Sequence, residues 1–304
     1  MDMYPNGTRS ALGRALAHSP AFARIATSAI LLIFAAGSGC KNHEAEDRSV
    51  FVSGEVTAVE AAVPLGYTAL HTAGKIQVDG KVDEEAWTAA KWTAAFVDIQ
   101  GDSLPRPEFE TRAKILWDDE YLYVAAKLEE PHVWGTKTAR NSRIYDDNDF
   151  EVFIDPDGDG KNYYEIELNA LNTVWNLLLF RPYSQGGGGL IPHDLKGQLT
   201  GVHVQGTVND PGDTDEYWTV EFAFPWSSLA EYAGTDCPPK AGDRWRINFS
   251  RVEYGHKIVD GRYQRDAHKT GGGNHPEANW VWSPQGKINM HIPEMWGYVR
   301  FSEP

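Results

Sequence analysis

The stretch Tyr164-Glu-Ile-Glu-Leu-Asn169 decides the fold, because apolar and polar side chains alternate along its whole length. Successive side chains of a β-strand point to opposite faces, whereas an amphipathic helix repeats about every 3.6 residues. The apolar members, Tyr164, Ile166 and Leu168, therefore face one side, and the polar members face the other. This stretch predicts a half-buried strand.

Similar short runs of β-branched and aromatic residues, separated by turn residues, follow one another from Lys75 onwards. The predicted strands are Lys75–Val78, Thr111–Trp117, Tyr121–Lys127, Phe150–Asp155, Tyr163–Leu168, Val174–Phe180, Val202–Val208, Trp218–Phe224, Arg244–Val252, Trp280–Trp282 and Gly297–Phe301. Two segments are predicted to be helical: Asp83–Ala90, capped by Asp83, and Pro225–Tyr232. Many strands with few helices indicate an all-β fold, a two-sheet antiparallel β-sandwich, in one domain over residues 71–304.

The charge of the chain excludes one class of partner. The formal net charge is -15 at pH 7. Such a surface repels phosphates, so we expect no nucleic acid partner. A neutral sugar is indifferent to this charge, and a divalent cation is attracted by it.

The first 40 residues are typical of a lipoprotein-type signal peptide. Basic residues precede the apolar run Ile25–Ala36, which is shorter than the roughly 20 residues that a membrane helix needs. The following Gly37-Ser-Gly-Cys40 resembles a bacterial lipoprotein cleavage site, with Cys40 as the acylated residue. Residues 41–70 are charged and aperiodic, which predicts a flexible tether. We therefore expect an exported protein that meets the membrane only through a lipid anchor, or is otherwise secreted.

Five blocks of the sequence occur in an informative order. They are a strand, turn and buried Trp over Ile76–Trp87, a hairpin over Ala113–Val124, a strand over Asp149–Asp155, a helical turn over Phe224–Leu229 and the ending Trp282–Phe301. Together they resemble the family 9 carbohydrate-binding modules. The resemblance implies a DOMON-like β-sandwich that binds oligosaccharide ends, or polysaccharides such as cellulose and xylan, without catalysis. It also implies secreted glycoside hydrolases as partners.

The same resemblance indicates where a sugar would bind. Tyr145 and Met290 stand where the family carries two tryptophans that sandwich a sugar ring, and His291 follows directly. Glu151 matches a Glu of the central strand and is a candidate acceptor for sugar hydroxyls. Glu165 falls near the position of a basic residue in the family. The aromatic pair is therefore altered in this chain.

Three further residues complete the candidate sugar site. Arg140 and Arg143 lie in the loop before Tyr145 and are predicted to supply the positive charge that position 165 lacks. Trp175 is another candidate platform. Three other tryptophans are expected to pack in the core, since buried aromatics are commoner than exposed platforms: Trp87, Trp117 and Trp226.

The loop Asp155-Pro-Asp-Gly-Asp-Gly160 resembles the start of a calcium loop. Asp155, Asp157 and Asp159 alternate with small residues, and calcium takes about six to eight hard oxygens. An EF-hand would need Glu at its twelfth position, where this chain has Ile166. A calcium site in a β-turn and an ordinary Asp/Gly hairpin loop both remain open from the sequence.

Two other functions compete with sugar binding. Glu165 and Glu167 point the same way on one strand, and a glycosidase uses two carboxylates about 5–10 Å apart. Some relatives of this sandwich hold b-type haem between Met and His side chains, which Met290 and His291 allow on paper. We expect no catalytic residue and no haem.

Overall fold

A computed structural model of the protein describes residues 63–266 and 277–303. The strands in these ranges are β1 Gly66–His71, β2 Val97–Asp98, β3 Thr111–Trp117, β4 Tyr121–Glu129, β5 Asp149–Asp155, β6 Tyr163–Asn169, β7 Val174–Leu179, β8 Gly189–Leu190, β9 Leu199–Gln205, β10 Tyr217–Pro225, β11 Arg244–Tyr254, β12 His256–Val259, β13 Arg262–Arg265, β14 Glu277–Val281 and β15 Gly297–Phe301. The α-helices are α1 Glu85–Ala89 and α2 Trp226–Leu229, and short 3-10 helices lie at Ile144–Asp146, Tyr183–Gln185, Ala230–Tyr232 and Pro293–Met295. Within these described ranges, no helix has the length and apolar character that a membrane crossing requires.

The strands form two layers, as the sequence predicts. The first sheet has the order β8-β7-β6-β5-β11-β15-β1, and the second has the order β1-β3-β4-β10-β9. Strand β14 pairs with the second half of β11, and β2 pairs with β14. The all-β sandwich is therefore confirmed.

Strand β1 joins the two sheets and departs from the prediction. Its first part pairs parallel with β15, and its last two residues pair parallel with β3. The sandwich is therefore mixed and not wholly antiparallel. The strand begins at Gly66, inside the stretch that the sequence assigned to the tether, so the folded part starts before residue 71. Apolar periodicity is too short over these six residues to reveal a strand whose partners are far away in sequence.

The core lies between the sheets and is filled by the alternate side chains of each strand. Tyr164, Ile166 and Leu168 of β6 are fully buried there, as predicted, beside Phe150 and Val152 of β5. The opposite face of these strands is also covered, because all seven residues of β5 and of β6 are buried. The polar half of β6 therefore does not face open solvent, contrary to the expected half-buried pattern.

Two local predictions near the start of the domain are wrong. Lys75–Val78 is an extended segment without ladder pairing, although Ile76 packs against a buried cluster. Helix α1 begins at Glu85 after Glu84, so Asp83 is not its cap. The Gln77 amide donates to the Glu84 side chain, and its carbonyl accepts from the Asp79 amide, so this segment forms local hydrogen bonds instead of a strand ladder.

A buried carboxylate fastens this segment to the second sheet. Glu221 of β10 accepts hydrogen bonds from the Trp87 indole (2.7 Å) and from the Gly80 amide (2.8 Å). Gly80 has φ +93°, and a Cβ there would lie 2.4 Å from the backbone of Val202. The Asp-Gly turn and the buried Trp of the first sequence block are therefore one packing unit. Trp117 and Trp226 are also buried, as expected.

Candidate functional site

A cleft of about 430 Å³ lies on the outer face of the first sheet. Its floor comes from β5, β6 and β7, and its far wall comes from the segment Ile288–His291. The predicted residues that meet here are Tyr145, Glu151, Glu165, Trp175, Met290 and His291. Positions far apart in sequence converge because β5, β6, β7 and β11 are neighbours in one sheet.

The floor of the cleft is acidic. Glu151 of β5 lies directly opposite Glu167 of β6 in the antiparallel register, and Glu165 is two residues further along the same face. All three side chains are buried, and Asp149 is buried beside them. No Lys or Arg lines the cleft within the described residues.

Burial raises the pKa of each floor carboxyl. The pKa of Glu151 is raised to about 7, mainly by desolvation, and the nearby Ser250 hydroxyl opposes the rise. The pKa values of Glu165 and Glu167 are also raised well above their usual range, by burial first and then by the nearby Glu151 charge. Burial therefore disfavours the charged form of each of these carboxyls, unless a cation or donor compensates the charge.

Aromatic side chains stand over this floor. The Tyr145 and Trp175 rings have centroids 5.6 Å apart at an interplanar angle of 36°. Tyr145 is 37% exposed and Trp175 only 8%, so Trp175 backs Tyr145 and offers little ring face of its own. The Tyr145 backbone is fixed on both sides: its amide donates to Glu167 (2.9 Å), and its carbonyl accepts from the Tyr254 hydroxyl (2.8 Å).

Tyr183 is a second exposed aromatic in the cleft, and it is absent from the sequence prediction. It is 49% exposed and meets His291 edge-on, with ring centroids 4.6 Å apart. It follows Pro182 at the start of a 3-10 helix that leads into a run of glycines. An aromatic residue beside a glycine-rich loop was the available signal, since such loops lie at the surface and carry function.

The far wall is less open than the resemblance implied. Met290 is buried against a hydrophobic cluster that includes Phe153 and Trp296, so it fills space instead of presenting a flat face. The His291 ring nitrogen Nδ1 lies 2.9 Å from the Tyr163 hydroxyl. Burial lowers the pKa of His291 to about 4, so this ring is neutral at neutral pH.

The two predicted arginines lie outside the cleft lining. Arg140 pairs with Asp194 at 3.1 Å, and Arg143 pairs with Asp146 at 3.4 Å. The Arg143 guanidinium lies 5.9 Å from the centroid of the Tyr145 ring, which puts it at the rim. Neither arginine supplies the floor with the positive charge that the sequence suggested, because surface carboxylates already engage both.

Amide side chains that the sequence prediction missed complete the polar surface. Asn279 of β14 and Asn289 both line the cleft. Asn279 accepts a hydrogen bond from Ser250 (3.1 Å), and the Asn289 side chain accepts one from the His291 amide (3.0 Å). Each retains its NH₂ donors for a ligand. Single Asn residues in loops and short strands carry no sequence signal that separates this use from turn formation.

The Asp155 loop lies at the other end of β5. One carboxylate oxygen from each of Asp155, Asp157 and Asp159 lies within 4.8 Å of the others. The Asp155 carboxylate already accepts hydrogen bonds from the Gly158 and Gly160 amides, as in an ordinary Asp/Gly loop. The three side chains suit calcium in chemical type, and calcium in this loop stays a prediction.

The sandwich and its outer-face cleft define a β-sheet binding domain. Residues 78–238 match the family described as Carbohydrate family 9 binding domain-like, and the chain belongs to that family. The resemblance drawn from the sequence blocks is confirmed.

In two curated relatives, the segment similar to this chain is a small part of a much longer enzyme. Endo-1,4-beta-xylanase C of Paenibacillus barcinonensis is 32% identical over 92 residues, which cover 30% of this chain and 8% of that protein. Exoglucanase XynX of Acetivibrio thermocellus is 26% identical over 163 residues, which cover 52% of this chain and 12% of that protein. The chain thus spans about a tenth of the length of these relatives.

Solved structures share the fold at low identity. A family 9 module from Caldicellulosiruptor kristjanssonii, in complex with cellotriose, has a TM-score of 0.50 at 16% identity and covers 79% of this chain and 94% of its own. A putative carbohydrate-binding protein from Bacteroides uniformis has a TM-score of 0.55 at 15% identity, and the match covers 79% of this chain and 100% of that protein's chain.

Proposed function

We propose that this chain binds carbohydrate in the outer-face cleft and does not hydrolyse it. The observation that carries the proposal is the pairing of two exposed tyrosines, Tyr145 and Tyr183, with a polar floor and rim in one cleft. A sugar has CH faces that pack on flat aromatic rings and a belt of hydroxyls that needs hydrogen-bond partners. This cleft offers both kinds of surface.

The polar groups suit neutral hydroxyls. Glu151 supplies acceptor oxygens, and Asn279 and Asn289 supply amide donors. A hydrogen bond to a charged group contributes roughly 1.5–3 kcal/mol, and one between neutral groups contributes about 1 kcal/mol. The ligand we propose is an oligosaccharide, or the end of a plant-type polysaccharide of the kind on which the xylanase and exoglucanase relatives act.

Binding without hydrolysis is supported by the chemistry of the floor. A glycosidase keeps one carboxyl protonated and its partner ionised, so its two pKa values are pushed apart. Here burial raises the pKa of both Glu165 and Glu167. Burial thus shifts the pKa values of the two carboxyls in the same direction. No rise in reducing ends from cello- or xylo-oligosaccharides is expected; a rise that Glu165→Gln abolishes would establish a glycosidase instead.

A haem role finds little support in the cleft. Met290 and His291 are consecutive and line the same wall, whereas a haem held between Met and His needs one on each side. We propose that the protein takes no haem. The Soret region of the absorbance spectrum, measured after addition of haemin, tests this point.

We further propose that the domain is exported, is anchored through acylated Cys40, and works beside secreted glycoside hydrolases. The enzyme relatives support the last point, because each joins a matching segment to a much longer chain. Metabolic labelling with palmitate tests the anchor: Cys40→Ser should lose the label and leave the membrane fraction. Labelling that survives this substitution would overturn it.

The direct test of the sugar site is a glycan array followed by calorimetry on the purified full chain. We expect binding to at least one cello-, xylo- or manno-oligosaccharide or its polymer, weakened by Tyr145→Ala. Absence of binding to all of them would refute the function. Undiminished affinity in Tyr145→Ala would refute the site.

A further inference from the structure

Two carboxylates of the cleft floor and a third buried beside them are grouped closely enough to share one ion. Asp149, Glu151 and Glu167 each place an oxygen within 4.8 Å of the other two. The sheet itself sets this geometry, since Asp149 and Glu151 are two residues apart on one face of β5 and Glu167 lies opposite Glu151 on β6. All three side chains are buried.

Two carboxyls at this site lack the partners that buried carboxylates normally have, whereas Glu167 accepts a hydrogen bond from the Tyr145 amide. Neither carboxylate oxygen of Asp149, which is fully buried, has a hydrogen-bond partner of good geometry, although the nearby Val252 backbone opposes the rise of its pKa. Oxygen Oε2 of Glu165, which is more than nine-tenths buried and faces the same cleft, also has none. None of the ion pairs among the described residues includes any of these four carboxylates. An unpaired buried charge costs several kcal/mol or more, so the arrangement calls for a counter-charge.

A neighbouring residue shows how this fold satisfies an isolated buried carboxylate. Asp147, which is fully buried two residues before Asp149, accepts hydrogen bonds from the Thr136 amide (2.7 Å) and hydroxyl (2.6 Å) and the Lys137 amide (2.7 Å). Asn169 adds a fourth at 3.0 Å. The donors around Asp147 thus satisfy its carboxylate, whereas neither oxygen of Asp149, two residues away, has such a donor.

We propose that Asp149, Glu151 and Glu167 bind a divalent cation, calcium, at the floor of the cleft, with Glu165 beside it. Calcium takes about six to eight hard oxygens at roughly 2.3–2.6 Å, so ligand oxygens around one ion lie up to about twice that distance apart. The separations in this cluster fall inside that limit. Water completes the shell on the side that opens to the cleft.

This site is separate from the Asp155 loop. Asp149 and Asp155 are the two ends of β5, and a strand rises about 3.3 Å per residue, so roughly 20 Å separates them. Asp155 is already satisfied by loop amides, whereas Asp149 is not. The inference goes beyond sugar binding and does not depend on it, because the cation is measured without a sugar.

Calorimetric titration of calcium into chelator-treated full-length protein, near neutral pH and without sugar, tests the proposal. We expect Asp149→Asn and Glu151→Gln each to lose about one calcium per chain, because each removes a ligand charge from one site. Glu110→Gln, a carboxylate-to-amide change at an exposed position paired with Arg112, is the matched control and should bind as the wild type does.

Circular dichroism shows which variants fold. If Asp149→Asn does not fold, Glu151→Gln alone tests the proposal. Wild-type protein that takes up no calcium at millimolar concentration would overturn the proposal, since the carboxyls would then be compensated by protons. Retention of the full calcium stoichiometry in both cleft variants, with loss in Asp157→Asn, would also overturn it and assign the ion to the loop. Failure of sugar binding alone would leave the cation result unaffected.

Discussion

Removal of the Tyr183 ring gives the sharpest test of the sugar site, because this residue enters it only through the tertiary structure. Tyr183 is 49% exposed, and a buried aromatic side chain covers on the order of 150–250 Å², so roughly 70–120 Å² is available to a ligand. At about 25 cal/mol/Å², covering all of it contributes roughly 2–3 kcal/mol. A sugar ring stacked on one face covers about half, so Tyr183→Ala should cost about 1–1.5 kcal/mol, or roughly five- to tenfold in Kd.

Isothermal titration calorimetry with the best ligand from the glycan array measures this loss. Tyr183→Phe should retain most of the affinity, since it keeps the ring and removes only the hydroxyl. Tyr298→Ala is the matched control: Tyr298 is 38% exposed on β15 and packs against the Arg246 guanidinium, outside the cleft. It should leave Kd unchanged.

Two results would refute the reasoning about Tyr183. Equal losses in Tyr183→Ala and Tyr183→Phe would mean that the hydroxyl, and not the ring face, meets the ligand. Wild-type affinity in Tyr183→Ala would mean that the ligand stacks elsewhere, with Tyr145 as the other exposed aromatic ring among the described residues of the cleft.

Three further predictions concern stability, measured by urea unfolding against the wild type. Arg251→Met should cost about 3–5 kcal/mol, because Arg251 is fully buried in ion pairs with Glu130 (2.9 Å) and Glu253 (2.8 Å); a loss below about 1 kcal/mol would contradict this. Burial lowers the pKa of His291 to about 4, below its usual value of about 6.5. The neutral ring therefore contributes fully to stability above pH 6.5, and the free energy of unfolding falls by up to about 3 kcal/mol as the pH decreases toward 4. His291→Gln should remove this part of the decrease in the free energy of unfolding at acid pH. An unchanged decrease would contradict the role given to His291. Gly80→Ala should cost at least about 2 kcal/mol, since φ is +93° and the new Cβ would overlap the neighbouring strand; near-wild-type stability would show that the turn relaxes.

Several residues chosen from the family blocks line one cleft, but their surroundings differ from those that the sequence suggested. Tyr145, Glu151 and Glu165 lie together in one cleft, since Glu151 and Glu165 share one face of the paired strands β5 and β6 and Tyr145 lies in the short 3-10 helix before β5. Met290 was placed in the same cleft but is buried in a hydrophobic cluster, and Arg140 turns to Asp194 outside it. Side-chain partners of loop residues depend on the neighbours that the fold brings near, which sequence spacing does not encode.

The sequence by itself determined the all-β sandwich and the strands that carry the cleft, because period-two alternation is a local property. Its membership in the carbohydrate family 9 binding domain-like group came from the ordered sequence blocks and the match over residues 78–238, and not from alternation. Only the tertiary structure decided that the polar face of β5 and β6 is buried, that Tyr183 joins Tyr145, and that Asp149 lies unpaired beside Glu167. Burial and cross-strand proximity are produced by segments far apart in the chain. Alternation shows that two carboxylates share a face, but only packing determines whether that face meets water.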